Sequence, residues 1–437
     1  MVVAGLALAA PASAADTYAS PTGTASENCD SPATACNIEK ALNAITTAGD
    51  VVHLLGGSSA VYNPTTFISV GAGVTLAGTA GDRPLIDMTG TNAITAEGGT
   101  VKDVRIDSAA TGVIGAVEVN SGGTFDRVSV QSSTITPCFA QPNATYRDTS
   151  CWYSGTSFRA ALGVQRNVGT GTASPTNLQN VTAVSNAGVG LEIAIANPSG
   201  DFTVNASNVI ADGVEDLAAA RGSGAGTLTV NADHSNYSAP SIGTGVTLNE
   251  TAIQSTPPVF LDAATGNFHQ LASSAGTIDQ GSATGIGAFD FDGQARSVGA
   301  GPDIGADEIR ETAVPIIYTP VYAGSTSISG MEIDVPSTQV EVFVNGSPVG
   351  TTTATPGWTV GVPALIEGQS VTGRATAPVA ATTSPLSAPV IVTLGPMASA
   401  PPPVVNSIPA PTRKKCKKPK KLNKRTGKCV KKKKKKK

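Results

Sequence analysis

An aromatic segment that contains two cysteines has the clearest ligand-binding chemistry in this 437-residue sequence. It starts at Cys138, passes Cys151 and includes one of the chain's two tryptophans. Aromatic faces can stack on sugar rings, and arginines can hold hydroxyls or carboxylates through hydrogen bonds. We therefore predict a disulfide-closed loop that binds a glycan through Tyr146, Arg147, Trp152, Tyr153 and Arg159. The alternative is that these aromatic side chains only anchor the loop by burial.

A second candidate site is the acidic run DFDGQAR at residues 290–296. Asp290 and Asp292 precede a glycine, and Asp303 follows nearby. Carboxylate oxygens are the ligands that calcium prefers, although the run lacks the full twelve-residue EF-hand pattern. The alternative is that the Asp side chains cap turns and that Arg296 pairs with one of them. A structural calcium ion is the one cofactor that this pattern suggests.

Charged residues on neighbouring repeats were tested for catalysis. Hydrolysis of a glycoside needs two carboxyls on either side of the scissile bond. Alignment of the repeats instead stacks Lys102 on Asp126, and Asp103 on Arg127. Alternating signs of this kind indicate ordinary cross-strand pairing along a solvated ladder. We assign no catalytic residue from the sequence, and we leave open whether the protein is an enzyme.

The elements that must position these residues follow a repeat. The body is rich in Gly, Ala, Thr, Ser and Val, a composition that favours an all-β fold. Strand-like segments recur at steps of 27, 24, 53, 24 and 26 residues, and their first large apolar residues are Val74, Val101, Phe125, Leu178, Phe202 and Leu228. A period near 25 predicts parallel coils stacked on one another. A β-sandwich with similar strand spacing is the alternative.

One amphipathic helix is expected before the coils. Residues 36–50 place Ile38, Ala41, Leu42 and Ile45 on one face, with Asn37 as a cap and Gly49 as the stop. Such a helix would cover the open end of the first coil, where unpaired strand edges would otherwise be exposed.

The start of the chain resembles secreted right-handed parallel β-helix proteins of the pectin-lyase-like superfamily. The matching residues are Tyr18, 20–23 (SPTG), Cys29, Cys36 and Gly49-Asp50. Residues 257–310 resemble the choice-of-anchor Q domain that closes many such helices; the matches are Phe260, Asp262, Gly266, Phe268, Ile278, Asp279, Gly281, Asp290, Asp292, Gly293, Arg296, 303–306 and Glu308. The sequence departs from the family's SPAIDAG pattern by a small insertion at 274–281. The resemblance implies a single-stranded, right-handed coil over residues 16–310.

That superfamily includes polysaccharide lyases and hydrolases. Its polygalacturonase-like members carry NTD, DD and GHG motifs followed by RIK, and none of these occurs in this sequence. Because fold does not fix function, the resemblance implies an architecture and not a reaction.

The remaining segments extend the domain prediction. Residues 1–15 resemble a secretory signal with cleavage after Ala14 or Ala15, although no Lys or Arg precedes the apolar run; an Ala-rich disordered terminus is the alternative. Residues 312–395 contain an Asn345-Gly346 hairpin signal and resemble a bacterial Ig-like β-sandwich. Residues 396–412 form a Pro-rich linker, and residues 413–437 form a Lys-rich tail.

The six cysteines fall into three local pairs. In an exported chain this spacing predicts disulfides between Cys29 and Cys36, Cys138 and Cys151, and Cys416 and Cys429. A zinc site is disfavoured, because there is no CxxC and the three histidines lie far apart in sequence.

Charge divides the chain into two parts. The tail holds 17 of the 29 basic residues, so residues 1–412 carry 12 basic and 32 acidic groups, a formal charge of −20. An acidic body would repel nucleic acid, while the tail would attract anionic wall polymers or lipid head groups. The alternative is that the tail only solvates the chain.

Together these patterns predict a secreted protein at a bacterial cell surface. The leading hypothesis is a non-catalytic, adhesin-like protein that binds glycan or another surface through the coil, with no transmembrane segment. One alternative is a polysaccharide lyase or glycoside hydrolase that acts on an acidic polysaccharide. Another is a purely structural envelope component without a ligand.

Overall fold

The computed structural model describes residues 15–395, apart from 46, 121, 168, 197–199, 225, 272, 298, 310–311, 313, 332–337, 355–356, 377–382 and 385, and it also describes 420–422 and 428–431. The signal segment, the Pro-rich linker and most of the tail therefore lie outside the described residues. The described part is almost entirely β, as the composition predicts. None of its helices is both long and apolar enough to cross a membrane.

Stacked parallel strands form the first and larger unit. In chain order the strands are β1 (Asp16–Ala19), β2 (Val51–Leu54), β3 (Val61–Tyr62), β4 (Ile68–Val70), β5 (Thr75–Ala77), β6 (Leu85–Met88), β7 (Ile94–Glu97), β8 (Thr100–Ser108), β9 (Gly115–Asn120), β10 (Thr124–Ser132), β11 (Thr136–Ala140), β12 (Thr145–Tyr153), β13 (Leu162–Arg166), β14 (Thr176–Ser185), β15 (Val189–Ile195), β16 (Phe202–Asp212), β17 (Glu215–Arg221), β18 (Leu228–Asp233), β19 (Ser241–Ile242) and β20 (Val246–Thr251).

These strands alternate between two parallel sheets. The first sheet runs β1-β2-β5-β8-β10-β12-β14-β16-β18-β20, with β3 and β6 joined to it at β8, and the second runs β4-β7-β9-β11-β13-β15-β17-β19. The inward side chains of both sheets fill one apolar core. The chain thus winds as a parallel β-helix-like coil, and stacking buries the face that no coil could bury alone.

The predicted helix is present but short. Helix α1 (Ile38–Asn43) covers six residues of the predicted 36–50. The Asn37 side chain accepts a hydrogen bond from the backbone N–H of Lys40 at 3.0 Å, which confirms the predicted cap. The helix stops early because the Asp50 carboxylate accepts the backbone N–H of Thr47 at 2.9 Å, a local bond that competes with helical pairing.

A column of corners divides each long strand of the first sheet. In β8, Val101 and Val104 both face the core, and Asp103 between them has a left-handed φ of 57°. Left-handed residues recur at the same place in the next coils, and we call this set the corner column: Asp103, Arg127, Asp148, Asn180 and Asn208. Asp and Asn tolerate this conformation better than most residues.

The register refines the predicted repeat. Val101 pairs with Phe125 as expected, but it pairs with Leu76 rather than Val74 on its other side. Leu178 pairs with Ala206 rather than Phe202. Both shifts are even, so the same faces point inward. Coil length ranges from 18 residues (Ala232 to Glu250) to 32 residues (Tyr146 to Leu178), so the period near 25 is an average.

Two predicted disulfides are present. Cys29 bonds to Cys36, and Cys138 bonds to Cys151, with Cα–Cα distances of 5.0 and 5.9 Å. Cys138 lies on β11 and Cys151 on the next strand, β12, and both are fully buried. The prediction of a loop leaving the coil is therefore corrected: residues 136–153 form a regular coil, and the disulfide crosses its interior. Cys429 is also disulfide-bonded, while Cys416 lies outside the described residues.

The closing segment, residues 257–309, lies along the corner column rather than over the end of the coil. It contains β21 (Phe260–Asp262) and β22 (Asn267–Gln270). The Ser282 backbone N–H donates to the Asn208 side chain at 2.7 Å, and Arg83 Nη2 donates to Asp292 at 2.8 Å. These contacts tie late and early coils to one segment.

The second unit, within residues 312–395, contains two antiparallel sheets on a common apolar core. Its strands are β23 (Ile316–Ile317), β24 (Ser327–Met331), β25 (Gln339–Val344), β26 (Ser347–Thr353), β27 (Gly357–Gly361), β28 (Ser370–Thr376) and β29 (Val390–Ile391). Asn345-Gly346 joins β25 to β26 in the expected hairpin. In the tail, β30 (Lys420–Leu422) pairs antiparallel with β31 (Cys429–Lys431).

Candidate functional site

The aromatic residues predicted to bind glycan lie inside the structure. Tyr146 is fully buried, stacks on Phe125 with ring centroids 5.7 Å apart, and donates its hydroxyl to the Phe139 carbonyl at 3.0 Å. Tyr153 also points into the core. Trp152 points outward, but Phe268 of the closing segment packs edge-on against it at 5.8 Å. The aromatic signal in this region therefore marks packing in the coil and under the closing segment.

The two predicted arginines remain accessible. Arg147 keeps 39% of its side chain exposed and forms a bidentate pair with Asp126 at 2.7 and 3.1 Å. Arg159 is exposed, beside the exposed ring of Phe158. Glycan contact at these two arginines stays a prediction.

The charged ladder has the expected register but not the expected exposure. Lys102 pairs with Asp126 across β8 and β10, and Arg127 binds Asp103 through two hydrogen bonds of 2.7 and 2.9 Å. Asp103 and Asp126 are each only 4% exposed, so this ladder is largely buried rather than solvated. Each of these acids is held by an arginine of the next coil.

The three predicted calcium ligands do not meet as one ligand set among the described residues. Asp290 accepts the backbone N–H groups of Asp292 and Gln294 at 3.0 and 2.7 Å, which is a turn-capping role. Asp303 accepts the N–H groups of Asp279 and Ile309 at 2.7 and 2.8 Å. Asp292 faces Arg83 instead.

The polar centre of the molecule is the junction between the corner column and the closing segment. Arg296 is 1% exposed, and its Nη2 donates to Asp148 at 2.6 Å and to the Ala306 carbonyl at 2.8 Å. Asn180 donates to the same Asp148 oxygen at 2.8 Å, and Asn208 donates to Asn180 at 2.8 Å. The sequence analysis missed this network, although Asn180 and Asn208 recur at a spacing of one coil and Arg296 was flagged as an ion-pair partner.

A second group in the closing segment was also missed. His269 on β22, Asp292 and Asp307 place one ligand-type atom each within 4.8 Å of one another. The sequence analysis compared only the three histidines with one another, so a site with one histidine and two carboxylates escaped it. We call these three residues the His–Asp–Asp cluster.

Burial shifts the protonation of these acids. Removal from water raises the pKa of Asp290 to about 7, with a further contribution from Asp307, and raises the pKa of Asp303 to about 6. Burial also raises the pKa of Asp307. For His269, burial acts to lower the pKa, but the hydrogen bond to Asp292 and the charge of Asp307 outweigh it and raise the pKa to about 9. Because 41% of that side chain is exposed, solvent screens part of this effect.

The outer face of the first sheet carries an uncharged polar row. One outward position of each coil, in register from β5 to β20, is occupied by Thr75, Thr100, Thr124, Thr145, Asn177, Asn205, Asn231 and Asn249. None of the eight is buried. The four asparagine amides are linked by hydrogen bonds of 3.0, 2.9 and 2.9 Å. Beside them, Thr203, Thr229 and Thr247 form a parallel row. We call these positions the Thr/Asn rows.

Acidic residues on the second sheet do not form a close pair. Glu118 and Glu192 share one outward row but are separated by Phe139 and Gly163. Three steps between parallel strands place them about 14 Å apart along the row. This exceeds the spacing of catalytic carboxyls in glycosidases, so these two acids do not supply that arrangement.

Comparison with protein-family models and with curated proteins gives no match for this chain.

Proposed function

We propose that the chain is an exported, envelope-associated surface protein that binds an extended polysaccharide along the coil without cleaving it. The Thr/Asn rows carry this proposal. They offer hydroxyl and amide groups, both donors and acceptors, at a spacing of one strand, about 4.8 Å. A polymer that lies along the coil would meet the same groups at each coil, and its affinity would accumulate over several repeats.

The chemistry of the rows favours a neutral or weakly charged glycan. The eight positions of the longer row carry no formal charge, and the body as a whole is strongly acidic. A highly anionic polymer would be repelled by that body, whereas hydrogen bonds to sugar hydroxyls need no charge. Arg147 and Arg159 would add contacts to carboxylates at two points on the surface.

The other parts fit attachment to an envelope. We propose that the coil is right-handed and pectin-lyase-like, that residues 257–309 are a choice-of-anchor type of segment, and that the sandwich is a bacterial Ig-like spacer. The Lys-rich tail would hold the protein to anionic wall polymers or lipid head groups. Export would supply the oxidising surroundings in which disulfides persist.

The test is to incubate the purified protein with neutral and acidic polysaccharides, with and without calcium. Retention in affinity gels is measured together with new reducing ends and unsaturated-uronide absorbance. We expect retention without products. Product formation would establish the lyase or hydrolase alternative, and the absence of both signals over a broad panel would favour a purely structural role.

A matched pair of variants tests the surface itself. Asn205→Ala with Asn231→Ala removes two outward amides, and we expect retention to weaken about tenfold, from roughly 0.5–1.5 kcal/mol per lost hydrogen bond. Gln165→Ala, which removes an amide from the second sheet, is the control. Equal effects of the two changes would disprove the assignment to the Thr/Asn rows.

A further inference from the structure

We propose that the His–Asp–Asp cluster binds a first-row transition-metal dication, with zinc as the best-fitting ion. Three separate parts of the closing segment supply the ligands: His269 comes from β22, Asp292 from the turn after Phe291, and Asp307 from the stretch before Glu308. Their ligand atoms already lie within 4.8 Å of one another. Convergence from three places in the chain is what a metal site requires and what a run of neighbouring acids does not provide.

The orientation of the imidazole supports this assignment. The Asn267 side-chain oxygen faces Nδ1 of His269, so Nδ1 carries a hydrogen and donates to it. Nε2 then points toward Asp292. A histidine whose second nitrogen is held by an oxygen acceptor is the usual arrangement around zinc, because that bond fixes the tautomer that leaves Nε2 available.

The two carboxylates are also positioned from outside the cluster. Arg83, which enters from the coil between β5 and β6, donates to one oxygen of Asp292 at 2.8 Å, while the other oxygen faces His269. Asp307 is 4% exposed, and it accepts the backbone N–H of Gln270 at 2.7 Å. That amide carries no formal charge, so a dication bound at Asp307 would compensate a buried carboxylate.

An apolar wall covers one side of the cluster. The Phe291 ring lies 5.4 Å from the His269 ring and receives the Arg83 guanidinium at 4.2 Å. His269 itself remains 41% exposed, which leaves an entry path and room for a water ligand. One imidazole nitrogen, two carboxylates and an open position match zinc better than calcium, which prefers six to eight oxygen ligands.

The bound ion would join β22 to the 290–293 turn and to residue 307. Through Arg83 it would also fix the closing segment to an early coil. The site lies apart from the Thr/Asn rows and does not depend on the proposed function.

Titration of the chelator-treated full chain with Zn²⁺ tests the proposal by calorimetry, with Ca²⁺ in a parallel titration. We expect one equivalent of Zn²⁺ per chain, a rise in melting temperature on binding, and no competition from Ca²⁺. His269→Gln and Asp307→Asn should each weaken Zn²⁺ binding at least tenfold. His234→Gln, which alters a histidine that pairs with Asp233 on the coil, is the control and should bind as the parent does.

A second readout separates loss of ligands from loss of folding. Co²⁺ bound to the parent chain should give visible d–d absorption bands, and these should be absent in His269→Gln even if its circular dichroism is unchanged. No Zn²⁺ binding by the parent chain, or equal binding by His269→Gln, would overturn the proposal and leave a proton on His269 as the only bridge to Asp292. Binding of Ca²⁺ in place of Zn²⁺ would also overturn it.

Discussion

At the scale of single residues, the junction around Asp148 concentrates the polar chemistry of the coil. Its carboxylate lies in the corner column, where burial raises its pKa and the charge of Arg296 opposes that rise. One Asp148 oxygen receives hydrogen bonds from both Arg296 and Asn180. A buried charge of this kind is tolerated only while its partners remain.

Arg296→Ala should therefore lower the free energy of unfolding by about 3–5 kcal/mol, because it leaves the Asp148 carboxylate buried without its ion-pair partner. Urea denaturation followed by circular dichroism measures the change. The control is Arg374→Ala, whose ion pair with Glu341 is 42% and 30% exposed and should contribute at most about 1 kcal/mol. A loss no greater than that of the control would show that the closing segment does not depend on this ion pair.

The raised pKa values of Asp290 and Asp303 predict how stability depends on pH. Between the ordinary pKa near 4 and the folded values of about 7 and 6, the folded chain binds more protons than the unfolded chain. Their stabilising contribution is therefore complete below about pH 4 and is lost as pH rises through 6 to 7. Melting temperature in the presence of a chelator should fall over this range.

Asp303→Asn provides the check on that assignment. It cannot titrate, so the slope of melting temperature against pH should become shallower, even though the variant starts from a lower stability. An unchanged slope would mean that other groups produce the pH dependence.

At the scale of elements, the disulfide between β11 and β12 belongs to the core rather than to a projecting loop. Cys138→Ala with Cys151→Ala should lower the free energy of unfolding by about 3 kcal/mol, since the bond closes a short loop in the unfolded chain. Chemical denaturation measures this, and polysaccharide retention measured in parallel should not change. Lost retention with unchanged stability would restore the loop interpretation.

Local patterns predicted the elements better than they predicted the sites. The Asn37 cap, the Lys102–Asp126 register and the even spacing of inward residues follow from short-range rules, and the structure confirms them. Trp152 could not be placed in this way, because Phe268, which covers it, lies 116 residues later in the chain. The His–Asp–Asp cluster was missed for the same reason: its members come together only when residues 257–309 fold back on themselves.

At the scale of the whole molecule, charge and order along the chain suggest how the protein is held. Deletion of residues 413–437 should release protein from cells into the medium, because it removes 17 cationic groups from an otherwise acidic chain. Fractionation followed by immunoblotting measures the release, and high salt should release the full-length protein in the same way. Unchanged fractionation after the deletion would exclude electrostatic attachment by the tail.

The path of the closing segment determines where mechanical tension would enter the coil. The backbone N–H of Gly305 donates to the Asn208 carbonyl, and that of Ala306 donates to Thr182 Oγ1, each at 2.9 Å. A pull on the tail would thus reach the coil first at its middle, beside β14 and β16, rather than at the last strand, β20. The load would be shared among several lateral bonds, including the buried Arg296 pair, instead of peeling the terminal coil away one hydrogen bond at a time. A protein held at one end and loaded along its side could in this way resist shear that would unravel a bare solenoid.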